Sequence, residues 1–114
     1  MATESDVKKM AKAKDVSGLI KLFEDENLRE STADAIIDIG KTAVNPLIEA
    51  LGNKNVIIRV VSAQVLGMIG DERAIEHLIK LFEDDDEDVR GYGAGGALVD
   101  IGKAAVKPLI EVLS

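Results

Sequence analysis

The chain has few side chains that could take part in catalysis or metal binding, and the first candidate is its single histidine. His77 follows Glu76, and imidazole and carboxylate groups are common metal ligands. A metal site needs several well-placed ligands, however, and one imidazole cannot build such a site alone. The chain has no cysteine and no second histidine, so arrangements that pair a nucleophile with a histidine base are missing. We predict no metal, no cofactor and no enzymatic activity.

The second candidate is the acidic run Asp-Asp-Asp-Glu-Asp at 84–88, because carboxylates bind calcium. The calcium loop of an EF-hand also needs a central glycine and a distal bidentate glutamate at fixed spacing, and the sequence has neither in place. Acidic side chains before a helix stabilise its positive end, and Asp86 or Asp88 can cap the helix that follows. We therefore predict a structural role for this run.

The third candidate is a set of three arginines, Arg29, Arg59 and Arg90, which occupy the same position in successive copies of a repeated sequence. Such a row could form a ladder of cations that binds anions. It could instead be structural. Which of the two roles applies depends on where the helices place the arginines.

The repeated sequence has a period of 31 residues. Ala43, Ala74 and Ala105 are 31 positions apart. A period of about 20–50 residues indicates a repeat array, in which each unit buries its apolar face against its neighbours. The predicted units are an N-terminal capping helix at 1–14, repeat 1 at 15–42, repeat 2 at 43–73, repeat 3 at 74–104 and a partial repeat 4 at 105–114.

Each repeat is predicted to contain two helices, which we call A and B. Thr3 or Ser5 can cap the N-terminal helix, and Asp15 can cap helix A of repeat 1. Glycine is expected to end each helix B, because it accepts the left-handed conformation without a steric penalty. The glycines in this position are Gly40, Gly70 and Gly102.

Composition limits the class of fold and of partner. Hydrophobic residues make up 46% of the chain and aromatic residues only 3%, which favours closely packed small helices over a β-sandwich. The net charge of −7 opposes binding to nucleic acid. The basic cluster Lys8, Lys9, Lys12 and Lys14 is predicted to be a solvated helix face. We expect neither a signal peptide nor a membrane span, and we predict a cytoplasmic protein.

These motifs resemble a known family. The pattern A-V-x-P-L-I-x-x-L, a polar turn, V/I-R, an alanine- or valine-rich helix and I-G covers residues 15–114 and is similar to the short HEAT-like repeat of the phycobilisome-lyase type. The resemblance implies an all-α, right-handed superhelix (α-solenoid) of antiparallel helix pairs, with A helices on the convex side and B helices on the concave side. It also implies an interaction scaffold in which the arginine of helix B joins one repeat to the next. Some HEAT-like metalloenzymes bind iron through several His-Glu pairs, of which His77 and Glu76 would supply only one.

The predicted concave surface can be located on the B helices by counting from each arginine. Positions one, five and nine after the arginine lie on one helix face because of their i, i+4, i+8 spacing. They are Glu30, Asp34 and Asp38 in repeat 1 and Val60, Gln64 and Met68 in repeat 2. An apolar stripe where water is expected indicates an interaction site, unless repeat 3 or the curvature of the array buries Val60 and Met68.

Helix B of repeat 3 departs from the pattern at this same surface. It contains Gly91, Gly93, Gly95 and Gly96 around Tyr92, and the segment from Arg90 to Gly102 is one residue longer than its counterparts. An extra residue in a helix is typically absorbed as a π-bulge or a kink, and such features are frequent at functional sites. We predict an irregular helix over 90–101 with Tyr92 displayed beside it. The alternative is that the glycines only allow close helix packing.

The sequence therefore predicts a non-enzymatic scaffold that binds another protein on the concave helix-B surface. The candidate binding residues are Glu30, Asp34, Asp38, Val60, Gln64, Met68 and Tyr92, and the predicted inter-repeat residues are Arg29, Arg59 and Arg90. The acidic stripe favours a partner with a basic or apolar binding segment, and neither nucleic acid nor a membrane is expected. We expect the protein to be a monomer or a weak homodimer. One alternative function is a self-assembling structural array that closes through Val106, Ile110 and Leu113 at its C-terminal end. Another is a bilin lyase-like or metal-dependent enzyme subunit.

Overall fold

The computed structural model of the chain describes the backbone of residues 1–113 and the side chains of residues 1–104. Helices account for the regular structure of this part of the chain, so the all-α prediction is confirmed. They are α1 (Glu4–Ala13), α2 (Val16–Lys21), α3 (Arg29–Ile39), α4 (Val44–Ala50), α5 (Val56–Ile69), α6 (Ile75–Lys80), a π-helix (Val89–Gly95) and α7 (Gly96–Leu113). Short 3-10 turns lie at Leu22–Glu24, Gly40–Ala43, Glu72–Ala74 and Leu81–Glu83. The hand of the superhelix stays a prediction.

The N-terminal helix α1 begins at a capping box. Thr3 Oγ1 accepts a hydrogen bond from the backbone N–H of Asp6, while Asp6 Oδ2 accepts one from the N–H of Thr3 at 2.8 Å. Thr3, rather than Ser5, is therefore the cap. The inner face of α1 buries Val7 against α2 and α3, and its four predicted solvated lysines are exposed. α1 thus covers the outer flank of repeat 1.

The three repeats are helix pairs in which α2, α4 and α6 are the A helices. Asp15 caps α2 as predicted, by accepting a hydrogen bond from the N–H of Gly18 at 3.0 Å. Leu19, Leu47 and Leu78 occupy corresponding positions of the A helices, and all three are fully buried. Their burial under the B helices builds one continuous core of aliphatic side chains along the array.

The B helices α3, α5 and the π-helix with α7 lie side by side, and α5 and α7 are in tight contact at Gly67. A Cβ atom at Gly67 would lie 2.6 Å from Ala97 Cα, closer than nonbonded carbon atoms can approach. Ala97 itself is fully buried. Glycine at 67 therefore sets the distance between the B helices of repeats 2 and 3.

The predicted irregularity in repeat 3 is a π-helix over Val89–Gly95, so the prediction is confirmed. Tyr92 projects from it with 70% of its surface exposed, while Gly93 is buried. A Cβ at Gly93 would lie 3.4 Å from Ala63 Cβ, whereas a Cβ at Gly91 would meet nothing within 4 Å. Gly93 therefore lies against α5 with room for little more than a methyl group, while Gly91 has no packing reason to be glycine.

The prediction that Gly102 ends a helix is wrong. Gly40 and Gly70 follow α3 and α5 with φ of 77° and 73°, as expected for glycine at a helix end, but α7 runs through Gly102 to Leu113. After Gly70, the Asp71 carboxylate accepts a hydrogen bond from the N–H of Arg73 at 2.9 Å and starts a new turn. Gly102 is followed by lysine and alanine, which favour helix and offer no such acceptor. No break in the helix therefore separates repeat 3 from the start of the predicted partial repeat.

Candidate functional site

Three open depressions lie side by side along the B helices, and all three are lined by Gln64. The first, of about 450 Å³, lies between α3 and α5. The second, of about 340 Å³, extends from the first turn of α5 to Tyr92. The third, of about 460 Å³, lies between α5 and the glycines of the π-helix. Because Met68 also lines the first and third, and Tyr92 the second and third, they form one continuous surface, which we call the B-helix groove.

Most of the predicted binding residues lie together in this groove. Those that line it are Glu30, Asp34, Val60, Gln64, Met68 and Tyr92. Asp38 is exposed on α3 but lines none of the three depressions. Met68 is 60% exposed, whereas Val60 is partly buried, so the apolar stripe of α5 is more open to water at the Met68 end than at the Val60 end.

The groove also contains residues that the sequence analysis did not select. Val99 lines the third depression with 55% of its surface exposed, and Ile57 lines the second with 41% exposed. Val99 lies nine positions after Arg90, and Gly91 and Gly95 lie one and five positions after it. The counting rule used for repeats 1 and 2 therefore identifies Val99 when it is extended to repeat 3. Ile57 precedes the arginine of its repeat and is found only from the structure.

The charged side chains that line the groove are mostly carboxylates. The acidic members are Glu26, Glu30, Asp34, Asp88 and Asp100. The basic member is Arg29, whose Nε donates a hydrogen bond to the carbonyl oxygen of Phe23 at 2.7 Å. The groove therefore combines exposed apolar side chains with an acidic border.

Arg59 links repeat 2 to repeat 3. Its Nη1 donates to the carbonyl oxygens of Asn53 at 2.8 Å and Lys54 at 3.2 Å, which fastens the start of α5 to the preceding turn. Its Nη2 donates to Asp84 Oδ1 at 3.2 Å, and its Nε lies 3.0 Å from Asp84 Oδ2 as an ion-pair contact. The guanidinium is therefore occupied by protein groups.

Arg29 and Arg90 form bonds within their own repeats, which corrects the prediction that all three arginines join repeats. Arg90 Nη1 donates to the carbonyl oxygen of Asp84, and Arg29 bonds the carbonyl group of Phe23. The residue that corresponds to Asp84 one repeat earlier is Asn53, so the place where Arg29 would find a carboxylate carries a neutral amide. What the arginines share is the fastening of helix B to the end of helix A.

The acidic run at 84–88 satisfies backbone N–H groups. Asp84 Oδ1 accepts from the N–H of Asp86 at 2.9 Å, and Asp86 Oδ1 accepts from the N–H groups of Asp88 at 2.8 Å and Val89 at 3.3 Å. Asp86, rather than Asp88, is therefore the helix cap. Burial would raise the pKa of Asp84, but the N–H of Asp86 and the guanidinium of Arg59 outweigh it and hold this pKa below its ordinary value.

His77 lies away from the groove, on the exposed face of α6. It borders a depression between the A helices of repeats 2 and 3, next to Ile48, Lys80 and Asp84. Within the described side chains, no three or more histidine, aspartate or glutamate residues are arranged to hold a metal ion. Among the described residues, no helix is long and apolar enough to cross a membrane.

A second apolar surface lies on α6 and the turn that follows it, at the repeat 3 end of the array. Ile79 is 53% exposed and Phe82 is 46% exposed. Leu51, which corresponds to Phe82 one repeat earlier, is only 8% exposed, because repeat 3 stacks on it. Val106, Ile110 and Leu113, the residues of the predicted self-associating end, lie outside the described side chains.

Comparison with known proteins identifies the repeat. A search of curated proteins finds no match. The family model of HEAT repeats matches residues 16–99, which span repeats 1 and 2 and most of repeat 3. The phycobilisome-lyase subclass stays a prediction. HEAT repeats commonly serve as protein-interaction scaffolds and are typically non-enzymatic. The periodic sequence, the stacked helix pairs and the match over most of the chain together show that this protein belongs to the HEAT repeat family.

Proposed function

We propose that this protein is a non-enzymatic scaffold that binds a segment of another protein in its B-helix groove. The observation that carries the proposal is the exposure of Met68 and Tyr92, at 60% and 70%, on opposite sides of the third depression. A large apolar side chain gains about 1.5–3 kcal/mol when it is moved from water to a buried site. Two such side chains facing one depression offer a partner that free energy at a single place, and exposed apolar patches commonly mark such sites.

The groove is a surface suited to binding rather than to chemistry. Among the described side chains that line it, the titratable groups are carboxylates, Arg29 and the phenol of Tyr92, and none is a histidine or cysteine that could act as a base or nucleophile. The helix pairs below it are held by a buried aliphatic core. A rigid surface of this kind binds with little loss of conformational entropy on its own side.

The experiment is affinity capture with two matched variants. Met68→Glu places a charge in the groove, and Ile79→Glu places the same charge at a similarly exposed apolar residue on α6, outside the groove. Immobilised wild-type protein and both variants are incubated with lysate of the source cells, and the captured proteins are quantified. We expect one protein or a small set to bind wild type and Ile79→Glu but not Met68→Glu. Equal capture by both variants would contradict the proposal.

A second candidate function is self-assembly through the repeat 3 end, and the exposure of Ile79 and Phe82 favours it. A second copy stacked there would cover these side chains as repeat 3 covers Leu51. Light scattering over a range of concentrations tests this candidate. A mass that rises with concentration in wild type, and stays that of a monomer in Phe82→Glu, would support it; a constant monomer mass in wild type would reject it.

A further inference from the structure

The chemistry of the groove restricts which partner segment it can accept. The third depression is bordered by the exposed apolar side chains of Met68, Tyr92 and Val99. Its floor is the backbone of the π-helix glycines, which has no side chains to fill it. A Cβ at Gly91 would meet nothing within 4 Å, and one at Gly96 would come no closer than 4.0 Å to another atom, the carbonyl oxygen of Gly91. The depression is therefore open enough for one large apolar side chain of a partner.

The carboxylates of the groove lie on both sides of this apolar depression. Glu30 and Asp34 on α3 line the first depression, on one side of α5. Asp88 lines the second depression and Asp100 the third, on the side of the π-helix and α7. A partner segment with acidic residues beside its apolar side chain would meet like charges on both sides, while lysines or arginines would meet opposite charges.

From this arrangement we infer that the B-helix groove binds a segment with one large apolar side chain flanked on both sides by lysine or arginine. The apolar side chain occupies the third depression, between Met68, Tyr92 and Val99. The flanking cations face the carboxylates of α3 on one side and Asp88 and Asp100 on the other. The ring of Tyr92 adds an aromatic face on which a cation can lie. This inference rests on the proposed function and names the chemistry of its partner.

The test uses three short fluorescent peptides and the full chain. The first peptide has a central leucine flanked by lysines, the second has glutamates in place of the lysines, and the third has alanine in place of the leucine. Fluorescence anisotropy measures their dissociation constants at low and high salt. We expect the second and third peptides to bind at least about tenfold more weakly than the first, and the first to weaken as salt screens its charges.

Two matched variants localise the charge effect. Asp34→Lys reverses a charge that lines the groove, while Asp38→Lys reverses one a turn further along the same helix that lines none of the depressions. We expect Asp34→Lys to weaken binding of the first peptide severalfold more than Asp38→Lys does. Equal losses in the two variants would overturn the inference, because the attraction would then come from overall charge.

A third variant tests the depression itself. Gly96→Val places a branched side chain in open space on its floor, so the fold has room for it while the guest side chain does not. We expect binding of the lysine–leucine peptide to fall at least about tenfold while the thermal unfolding temperature stays within a few degrees. Unchanged affinity would overturn the inference.

The outcomes separate this inference from the function on which it rests. If Met68→Glu loses a cellular partner that Ile79→Glu retains, and none of the peptides binds, the scaffold function stands and the inferred partner chemistry is wrong. If the two glutamate variants capture alike and none of the peptides binds, both the function and the inference are wrong.

Discussion

Helix B of repeat 2 and helix B of repeat 3 carry an arginine at the same position of their first turn and pack against each other, yet they differ in form. α5 is a regular α-helix that ends at Gly70, whereas its neighbour is a π-helix that continues as α7. Each contains glycine, but for different reasons. Gly67 of α5 is required because a side chain there would collide with Ala97, while Gly91 of the π-helix has open space above it.

This difference teaches where an array of repeats can vary. On the face of helix B that contacts the neighbouring helix, even one added methyl group would not fit, as Gly67 and Ala97 show. The face that borders the groove tolerates an extra residue, glycines and a displayed tyrosine, because nothing packs on it. The two helices therefore differ mainly on the face that borders the groove.

The largest expected effect comes from a methyl group at the tight contact between the two helices. Gly67→Ala places a Cβ 2.6 Å from Ala97 Cα, so the B helices of repeats 2 and 3 must separate. We expect a loss of roughly 1–3 kcal/mol in the free energy of unfolding, measured by urea denaturation. Unchanged stability would show that α5 and α7 do not approach as closely as the structure has them.

The next prediction compares the two arginines in the first turns of these helices. Arg59→Gln loses the ion pair with Asp84 as well as bonds to two carbonyl groups, while Arg90→Gln loses a bond to one carbonyl group. We expect Arg59→Gln to cost about 2 kcal/mol and Arg90→Gln about 1 kcal/mol in urea denaturation. Equal costs would indicate that the link between repeats 2 and 3 contributes nothing beyond the fastening of helix B.

A smaller effect concerns pH. The pKa of Asp84 is lower in the folded chain than in the unfolded chain, because the N–H of Asp86 and then the guanidinium of Arg59 outweigh the effect of burial. The ionised carboxylate therefore stabilises the fold at neutral pH. This contribution is fully present above the ordinary aspartate pKa of about 3.9 and is lost as the pH falls through the lowered value. Asp84→Asn, which copies Asn53 of repeat 2, should be less stable than wild type at pH 7, and the gap should narrow in acid. A gap that stays constant with pH would contradict the assignment.

The smallest effect has the opposite sign to the first. Gly91→Ala adds a methyl group where nothing lies within 4 Å, and alanine favours helix over glycine by about 1 kcal/mol. We expect the free energy of unfolding to rise by about 0.4–1 kcal/mol in the same denaturation assay. A loss of stability would mean that the π-helix needs glycine at this position after all.

Most of the fold could be predicted from the period of the repeat. Spacing alone identified the helix pairs, since a buried stripe such as Leu19, Leu47 and Leu78 must recur when units stack. The extra residue after Arg90 indicated the π-helix, because one surplus residue in a packed helix has few places to go. The end of α7 was not predictable in this way, because glycine permits a helix end but does not impose one.

The groove was only partly predictable. Counting along helix B gave the face that lines the groove, and with it Gln64, Met68 and, on α3, Glu30 and Asp34. Counting positions from the arginine cannot show where along helix B the groove ends. It therefore included Asp38, which lines no depression. Counting within one helix also cannot show which residues of the next repeat a side chain contacts. The ion pair between Arg59 and Asp84 is such a contact.

The π-helix also bears on how the gene for such a protein can change. Ala63 and Ala94 are 31 positions apart and both are fully buried, whereas Val65 and Ala97 are 32 positions apart and are buried as well. Ile69 and Ile101, also 32 positions apart, both pack against the core. Leu66 is fully buried, however, while Leu98, 32 positions later, is only partly buried. The surplus residue is therefore absorbed within the π-helix and the start of α7, with some change in which positions are buried. One surplus residue thus alters which side chains helix B exposes, while much of its buried face is kept. Insertion, as well as substitution, can therefore change the surface that such an array presents.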